Sequence, residues 1–519
     1  MAALFVLCLA LFRVYFVSSA FLEEYYAINM AAKQALEKIR LFKQKAFLHG
    51  KWSLGIKEKT FPVYSPSSGE IIANVSDLDE DDVNGAIKSA HIAFQTYKKS
   101  SCKYRSEILR KLGQSMQENE HDLATIMTLE CGKPISESVG EVKYAASFLE
   151  WYSEEAKRIN GDILPNAEAN TRKMILKQPV GVCGMITPWN FPLAMITRKV
   201  GAAMAAGCTS VIKPSEETPL SALAFCQLVE DLDVPPGVVN VITCSRENTV
   251  MAGTALCTSP LIKKITFTGS TKVGKWLLEK SAPTVKKVSM ELGGNAPFIV
   301  FNSADAKLAA SKAVVSRFRN SGQTCICAER IFVQEGIYDE FMSEFTKAVS
   351  KLKIGDPLEK DTTLSTLINQ GALEKVLHHI KDAEQHGGKI VLGGKLSDRG
   401  GLFFEPTIIG DCNDEMQCVK EETFGPVAPV IKFKTEQEIL ALANTENSGL
   451  AGYFFSTDYQ QIWRVAEELE VGMVGVNEVA ISNEMIPFGG IKESGLGREG
   501  SIYGISDYLE LKYVCLGGL

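Results

Sequence analysis

The feature that most limits what this chain can fold into is a run of short apolar segments that begins at Val182. VCGMIT, TSVIK, VVNVIT, KKITF and VKKVSMEL follow one another, separated by helix-length amphipathic stretches such as 220–230. Strand-length apolar runs alternating with helical stretches form the βα repeat of a parallel sheet. Gly293-Gly294 closes that series, and a second α/β series opens at APFIVF. In it, RIFVQ, KIVLGG, AGYFF and VGMVGVN read as strands, with helices predicted around 305–319, 338–352, 374–384 and 459–469. The glycine pair is therefore the best domain boundary. Upstream, 83–97 and 106–116 carry apolar residues at helical spacing, and a further helix stops at Cys131-Gly132. The closing YLELKYVCL alternates like an edge strand that can pair outside its own domain.

Composition narrows the partners. The 519 residues are too many for one small core. A net charge of -7 without a sustained Lys/Arg block gives no electrostatic footprint for nucleic acid, so small molecules are the expected partners. The 13 cysteines are scattered and odd in number, which fits a reducing compartment better than a disulfide framework. No metal site is expected. The six histidines are isolated except His378-His379, adjacent on a helix, facing different directions and read as surface residues. The leader gives conflicting addresses. Residues 1–22 are almost wholly apolar apart from Arg13 and read as a secretory signal or, less readily, a membrane anchor, whereas MAAKQALEKIRLFKQKAF from Met30 has the basic, acid-poor composition of a mitochondrial presequence.

Seven motifs, in order and at consistent spacing, resemble the aldehyde dehydrogenase superfamily over residues 45–519. They are PWNFP at 188–192, KPSEETP at 213–219, FTGSTKVG at 267–274, MELGGNAP at 290–297, FRNSGQTCIC at 318–327, EETFGPVAPV at 421–430 and PFGGIKESGLGREG at 487–500. VNVITCSR, IWRVAEELEVGMVGVNE and YLELKYVC are similar in particular to the succinate-semialdehyde branch of animals. The resemblance implies an α/β aldehyde dehydrogenase-like fold: a leader at 1–44, a Rossmann-like NAD-binding domain at 45–292 with an oligomerisation strand near 165–180, an α/β catalytic domain at 293–485, and a C-terminal return with a second oligomerisation strand at 486–519. It also implies self-association as a homotetramer or dimer, a mitochondrial matrix address and a place in 4-aminobutyrate degradation. Cytoplasmic location, or membrane or secretory routing by the apolar leader, stays open.

The chemistry follows from the same positions. A thiolate that adds to an aldehyde makes a tetrahedral thiohemiacetal whose hydride can leave to a nicotinamide, and Cys325 matches that nucleophile. The resemblance assigns the oxyanion to the Asn190 amide with the Cys325 N–H, and activation of the hydrolytic water to Glu291. For the cofactor it implies Trp189, then Gly269, Ser270 and Gly274 of GSTKVG near the pyrophosphate at a helix N-terminus, although the spacing is not G-x-G-x-x-G. Lys213 and Glu216 match the adenine-ribose positions, and Glu422 with Phe424 the nicotinamide ribose. The Glu216 carboxylate would oppose a 2′-phosphate, so NAD is expected over NADP.

A semialdehyde with a terminal carboxylate needs a cationic fork, and Arg198 and Arg319 match the positions for it. Two departures stand out: Ser482-Asn483 where the branch has a second Ser, and STLI at 365–368 for G-P-L-I. Cys327, two residues past the nucleophile, is either a packed thiol or the partner in a reversible Cys325–Cys327 disulfide, which requires a turn because neighbours two apart in a strand point to opposite faces. Three other readings stay open: a dehydrogenase for glutarate semialdehyde or a neutral aldehyde, a catalytically silent member, and a CoA-acylating enzyme, against which Glu291 argues.

Overall fold

The computed structural model describes residues 33, 34, 36–166 and 168–518. The apolar leader of residues 1–22 lies outside the described residues. No helix among the described residues is long and apolar enough to cross a membrane.

Five strands predicted from the first apolar series form the parallel centre of an eight-stranded sheet. Their spatial order is Val239–Val241, Thr209–Lys213, Val182–Ile186, Ile262–Thr268 and Lys287–Glu291. The chain winds outward from Val182–Ile186 in one direction and then, from Ile262–Thr268, in the other. The order therefore reverses between those two strands, and in open α/β sheets ligands sit in the crevice at the carboxyl ends flanking such a reversal. Both faces are covered, which is why the strands read as continuous apolar runs and not as alternating ones. On one side pack the helices Cys102–Glu118, Ile135–Glu155, Ala194–Ala206 and Pro219–Asp231, and on the other Glu80–Tyr97, Thr249–Thr258 and Thr271–Ser281. The helix Glu120–Cys131 ends where the sequence placed its stop, with Gly132 in the left-handed region at φ 78°.

The second series builds a seven-stranded sheet in the order Lys389–Leu392, Thr407–Gly410, Val427–Phe433, Arg330–Gln334, Pro297–Val300, Ala451–Phe455 and Met473–Val476. All pairs are parallel except the first. Two of these strands, Thr407–Gly410 and Val427–Phe433, were not read from the sequence. Only residues 292–296 separate the last strand of the first series from the first strand of the second.

The C-terminal segment returns to both parts. Gly495–Leu496 pairs antiparallel with Lys287–Glu291, placing Gly495 opposite Glu291. A side chain at Gly495 would collide with the Met290 carbonyl, so this close approach needs glycine. The final strand, Leu509–Gly517, pairs antiparallel over nine residues with Thr171–Pro179, which also pairs with Asp162–Leu164. This small sheet exposes Ile163, Leu176, Leu511 and Tyr513.

Candidate active site

Two cavities meet at Cys325. The larger, of about 220 Å³, lies at the carboxyl ends of Val182–Ile186 and Ile262–Thr268 and is lined by Trp189, Asn190, Gly269, Ser270, Glu291, Cys325, Glu422 and Phe424 among others. The smaller, of about 50 Å³, is lined by Tyr144, Phe191, Met195, Arg198, Arg319, Thr324, Cys325, Ile326, Ser482 and Phe488. The predicted nucleophile thus stands in the wall shared by both.

The nucleophile is presented by an irregular segment. After the helix Ala306–Phe318, Asn320, Ser321 and Gly322 all adopt positive φ, at 50°, 55° and 77°. Two of these are not glycine, a conformation that persists only where surroundings impose it. Those surroundings include the STLI segment: Gln323 donates to the Thr366 carbonyl at 3.2 Å and accepts from the Ile368 N–H at 2.9 Å, and the Ser321 hydroxyl donates to the Ser365 carbonyl at 3.1 Å. Thr324 to Cys327 then form a turn closed by Cys327 N–H to Thr324 C=O at 2.9 Å, not a strand. Burial pushes the Cys325 thiol up to about 12, with the Arg198 guanidinium pulling the other way, and pushes the buried Cys327 thiol up to about 11.

Asn190 is buried, with its amide donating to the Gln323 carbonyl at 3.0 Å and its own carbonyl held by the Lys133 ammonium at 2.6 Å. The Lys133 ammonium in turn pairs with Glu141 at 2.5 Å, whose other oxygen accepts the Leu193 and Ala194 N–H groups. Glu291 ends its strand with Oε2 lacking any partner. Burial, then the nearby Glu499, holds its carboxyl well above the usual range, against the pull of Arg198 and Lys199.

The lining of the larger cavity suits the nicotinamide-ribose and pyrophosphate portion of a dinucleotide. Ser270 caps the helix Thr271–Ser281, accepting the Val273 N–H at 3.4 Å, so the first turn of that helix faces the cavity with its dipole. Glu422 accepts the Gly294 N–H at 3.3 Å, and a Cβ added at Gly293 would lie 3.0 Å from its other oxygen. Burial, then Glu329, pushes the Glu422 carboxyl up to about 8. Phe424, itself at φ 55°, meets Trp189 edge-on at 5.6 Å. Lys213 and Glu216 lie off this cavity wall as a pair 3.5 Å apart. Gly274 lies off it too: its lack of a side chain lets its helix pack against Leu292.

The two predicted arginines reach the smaller cavity by different means. Arg198 is fully buried and paired with Glu499 at 3.0 Å, at an angle that leaves Nε and Nη2 without a hydrogen-bond partner. Its guanidinium lies 4.1 Å from the Phe488 ring centre. Arg319 is exposed and lies over Phe191 at 5.1 Å. Ser482, not Asn483, lines the cavity, its hydroxyl 2.5 Å from the Tyr144 hydroxyl, while Asn483 caps a turn by accepting the Met485 N–H.

A profile of the aldehyde dehydrogenase family matches residues 52–514. The chain belongs to that family. It is 54% identical over 480 residues to mitochondrial succinate-semialdehyde dehydrogenase of Rattus norvegicus, covering 92% of this chain and 91% of the relative. A succinate-semialdehyde dehydrogenase from Burkholderia pseudomallei superposes with a TM-score of 0.91 at 48% identity, covering 92% and 98%. An NADP-dependent enzyme of E. coli does so with 0.91 at 49%, covering 92% and 98%. Betaine aldehyde dehydrogenase of Staphylococcus aureus in complex with NAD+ gives 0.90 at 33%, covering 94% and 97%.

In this aldehyde dehydrogenase the sequence reading missed Glu499 and Lys199. Both are buried; Lys199 donates to Glu499 and to the Thr268 hydroxyl at 2.7 Å. Burial works to raise the Glu499 carboxyl, but Lys199 and Arg198 outweigh it and hold it low, while burial lowers the Lys199 ammonium. The signal was available: adjacent charges in the otherwise apolar helix AMITRKVGAAMAA require a buried partner. The reading of both histidines as surface residues is corrected for one. His378 is exposed, but His379 is buried on the inner face of Gln370–Gln385, 3.1 Å from the Thr423 hydroxyl, because successive helical residues diverge by about 100°. Among the described residues no group of three or more His, Cys, Asp or Glu is placed to hold a metal ion.

Proposed function

We propose that the chain oxidises succinate semialdehyde to succinate with NAD, through a thioester on Cys325. The observation that carries this reading is the junction at Cys325: on one side a cavity that holds a helix N-terminus and the buried Glu422 carboxylate, and on the other a short pocket with two arginines. The similarity to succinate-semialdehyde dehydrogenases supports the substrate.

Arg198 and Arg319 bind the substrate carboxylate. The Nε of Arg198, which has no partner in the protein, supplies a donor to it, while Nη2 faces Glu499. The carbonyl carbon is then held at Cys325, whose Sγ adds to it while the new oxyanion is received by the Asn190 amide and the Cys325 N–H. When bound, NAD would supply the hydride acceptor that lets the thiohemiacetal on Cys325 become a thioester. Trp189, Gly269, Ser270, Glu422 and Phe424 are the residues to hold it, with Lys213 and Glu216 at the adenine ribose. Glu291 takes a proton from the water that releases succinate. Its uncompensated burial raises its basicity, and Lys199 and Glu499 give the proton a polar route inward.

The Glu216 carboxylate favours NAD over NADP even though the similar E. coli enzyme is NADP-dependent. The exposed sheet of Leu509–Gly517 and Thr171–Pro179 supports self-association as a dimer or homotetramer. The relatives named mitochondrial support a matrix address and a role in 4-aminobutyrate degradation.

The turn at Thr324–Cys327 supports a Cys325–Cys327 disulfide that silences the enzyme under oxidation. Peroxide treatment should then cause loss of activity that dithiol reverses in the parent but not in Cys327→Ala; identical behaviour of the two sinks the disulfide.

The functional test is NADH formation at 340 nm by residues 45–519 with succinate semialdehyde, glutarate semialdehyde and propanal, each with NAD and with NADP. The highest kcat/KM should fall to succinate semialdehyde with NAD. A preference for propanal removes the arginine assignment, and no turnover under reducing conditions removes the enzyme.

A further inference from the structure

Arg317 and Glu329 form an ion pair at 2.8 Å with both side chains almost wholly buried, outside both cavities. An isolated buried pair is an expensive way to fill a core, because desolvation of two charges offsets most of their attraction. What these two groups touch explains their presence. The Glu329 carboxylate accepts the Thr423 N–H at 3.0 Å and the Phe424 N–H at 3.3 Å. Arg317 donates to the Gly425 carbonyl and, at 3.3 Å, to the Ala328 carbonyl. The pair therefore grips three consecutive residues of the segment between the helix Gln417–Lys420 and the strand Val427–Phe433.

That segment has no ladder of its own, yet it carries Glu422 and Phe424 into the larger cavity, and Phe424 sits at φ 55°. A bulky residue in the left-handed region costs on the order of 1 kcal/mol or more and needs fixed neighbours to stay there. The remaining anchors hold other atoms of the segment: Lys375 donates to the Glu422 carbonyl at 2.5 Å, the Gly294 N–H to the Glu422 carboxylate, the Thr407 N–H to the Pro426 carbonyl, and His379 meets the Thr423 hydroxyl. Glu329 also lies four residues past Cys325 on the same stretch of chain, while Arg317 stands in the last turn of the helix leading into it. The pair ties the segment before the nucleophile, the segment after it and the Glu422 segment into one unit.

We infer that Arg317 and Glu329 are positioning residues for the cofactor: they fix the backbone of 423–425 so that Glu422 and Phe424 stand in register with Cys325. The inference rests on the reading of the larger cavity as the NAD site. It does not extend to the smaller cavity or to the chemistry of Cys325, and this separation makes it testable.

The experiment uses two assays on the full chain. One is NAD-dependent oxidation of succinate semialdehyde. The other is hydrolysis of p-nitrophenyl acetate without NAD, in which Cys325 takes the acetyl group, p-nitrophenolate leaves, and water then releases acetate. Glu329→Gln keeps the shape but leaves one carbonyl oxygen for two N–H donors and removes the charge beside Arg317. Its KM for NAD should rise about tenfold, the size expected for loss of a hydrogen bond to a charged group. The KM for the semialdehyde and the rate of ester hydrolysis should stay within about twofold of the parent. A rise in NAD KM of less than about threefold, or a parallel fall in both assays, overturns the inference. If Glu329→Gln does not fold, Arg317→Lys keeps a cation against Glu329 but gives up the reach to Gly425, and the same split is expected. If neither variant folds, the pair belongs to the core alone and the inference falls. A parent enzyme that forms no NADH would instead sink the functional reading itself.

Discussion

Cys325 occupies a poor setting for a thiolate until something else arrives. Burial holds its thiol at about 12 against an ordinary 9.0, and Arg198 only partly compensates. The thiolate is the reactive form, so alkylation by iodoacetamide, followed by mass spectrometry of the 318–330 peptide, should climb about tenfold per pH unit. The climb should continue between pH 9 and 10, where a free cysteine has begun to level off; a plateau near pH 9 would show that the thiol is not raised. Glu216 makes the second residue-scale case. It is half-buried 3.5 Å from Lys213, so it both offers acceptors to ribose hydroxyls and offsets the cation that a 2′-phosphate would seek. Glu216→Ser should improve kcat/KM with NADP by about tenfold or more while weakening NAD, and an unchanged ratio would free this residue of the selectivity role. Most of these side chains were legible, because the chemistry demands particular residue types inside ordered motifs. Glu499 was not: it lay within a quoted motif, but its partners Arg198 and Lys199 are 300 residues away in sequence, and only the fold brings the charges together.

At the scale of elements, the helix Gln370–Gln385 connects the seven-stranded sheet to the segment carrying Glu422. Its inward-facing His379 is held neutral: burial first, then Lys375 and His378, lower it from 6.5 to about 4, with Asp382 opposing and Glu421 3.8 Å away. The unfolded chain takes up a proton at this site near pH 6.5 and the folded chain does not until about 4. Stability from this group is therefore complete above pH 6.5 and is lost as pH falls towards 4. The melting temperature of His379→Gln should fall less steeply than that of the parent over this interval, and equal slopes would remove His379 from the acid response. Elements were legible where their periodicity was undiluted, as in the five parallel strands of the first sheet. Thr407–Gly410 and Val427–Phe433 escaped because prolines stand beside or inside them, Pro406 before the first, Pro426 before and Pro429 within the second, and proline normally argues against a central strand. Pro406 and Pro426 stand just before their strands, and Pro429 sits third in its strand, opposite Ile409. The short strands Ala46–Leu48 and Lys51–Ser53 escaped because three residues carry no detectable period.

For the whole molecule, the small outer sheet is the part with a long unpaired edge. Leu509–Gly517 forms one of its edges, with Leu511 and Tyr513 exposed. An apolar, unpaired edge of this length is ordinarily covered by another chain. Removing residues 509–519 should therefore lower the mass measured by light scattering from that of an oligomer towards one chain, and an unchanged oligomer would move the interface elsewhere.

The pairing of Gly495–Leu496 with Lys287–Glu291 also sets a timetable for synthesis. A chain emerging from the ribosome completes the five parallel strands of its first sheet early, but the strand that ends in Glu291 keeps a bare flank until the entire second sheet has been translated. Helices, crevice and Ser270 cap can all form in the nascent chain while the Glu291 carboxylate still lacks its neighbour. Emergence of Gly495 is thus the event that finishes the oldest sheet, and a stop codon anywhere before it leaves a protein able to shape much of its cofactor crevice but not to close the strand that carries Glu291.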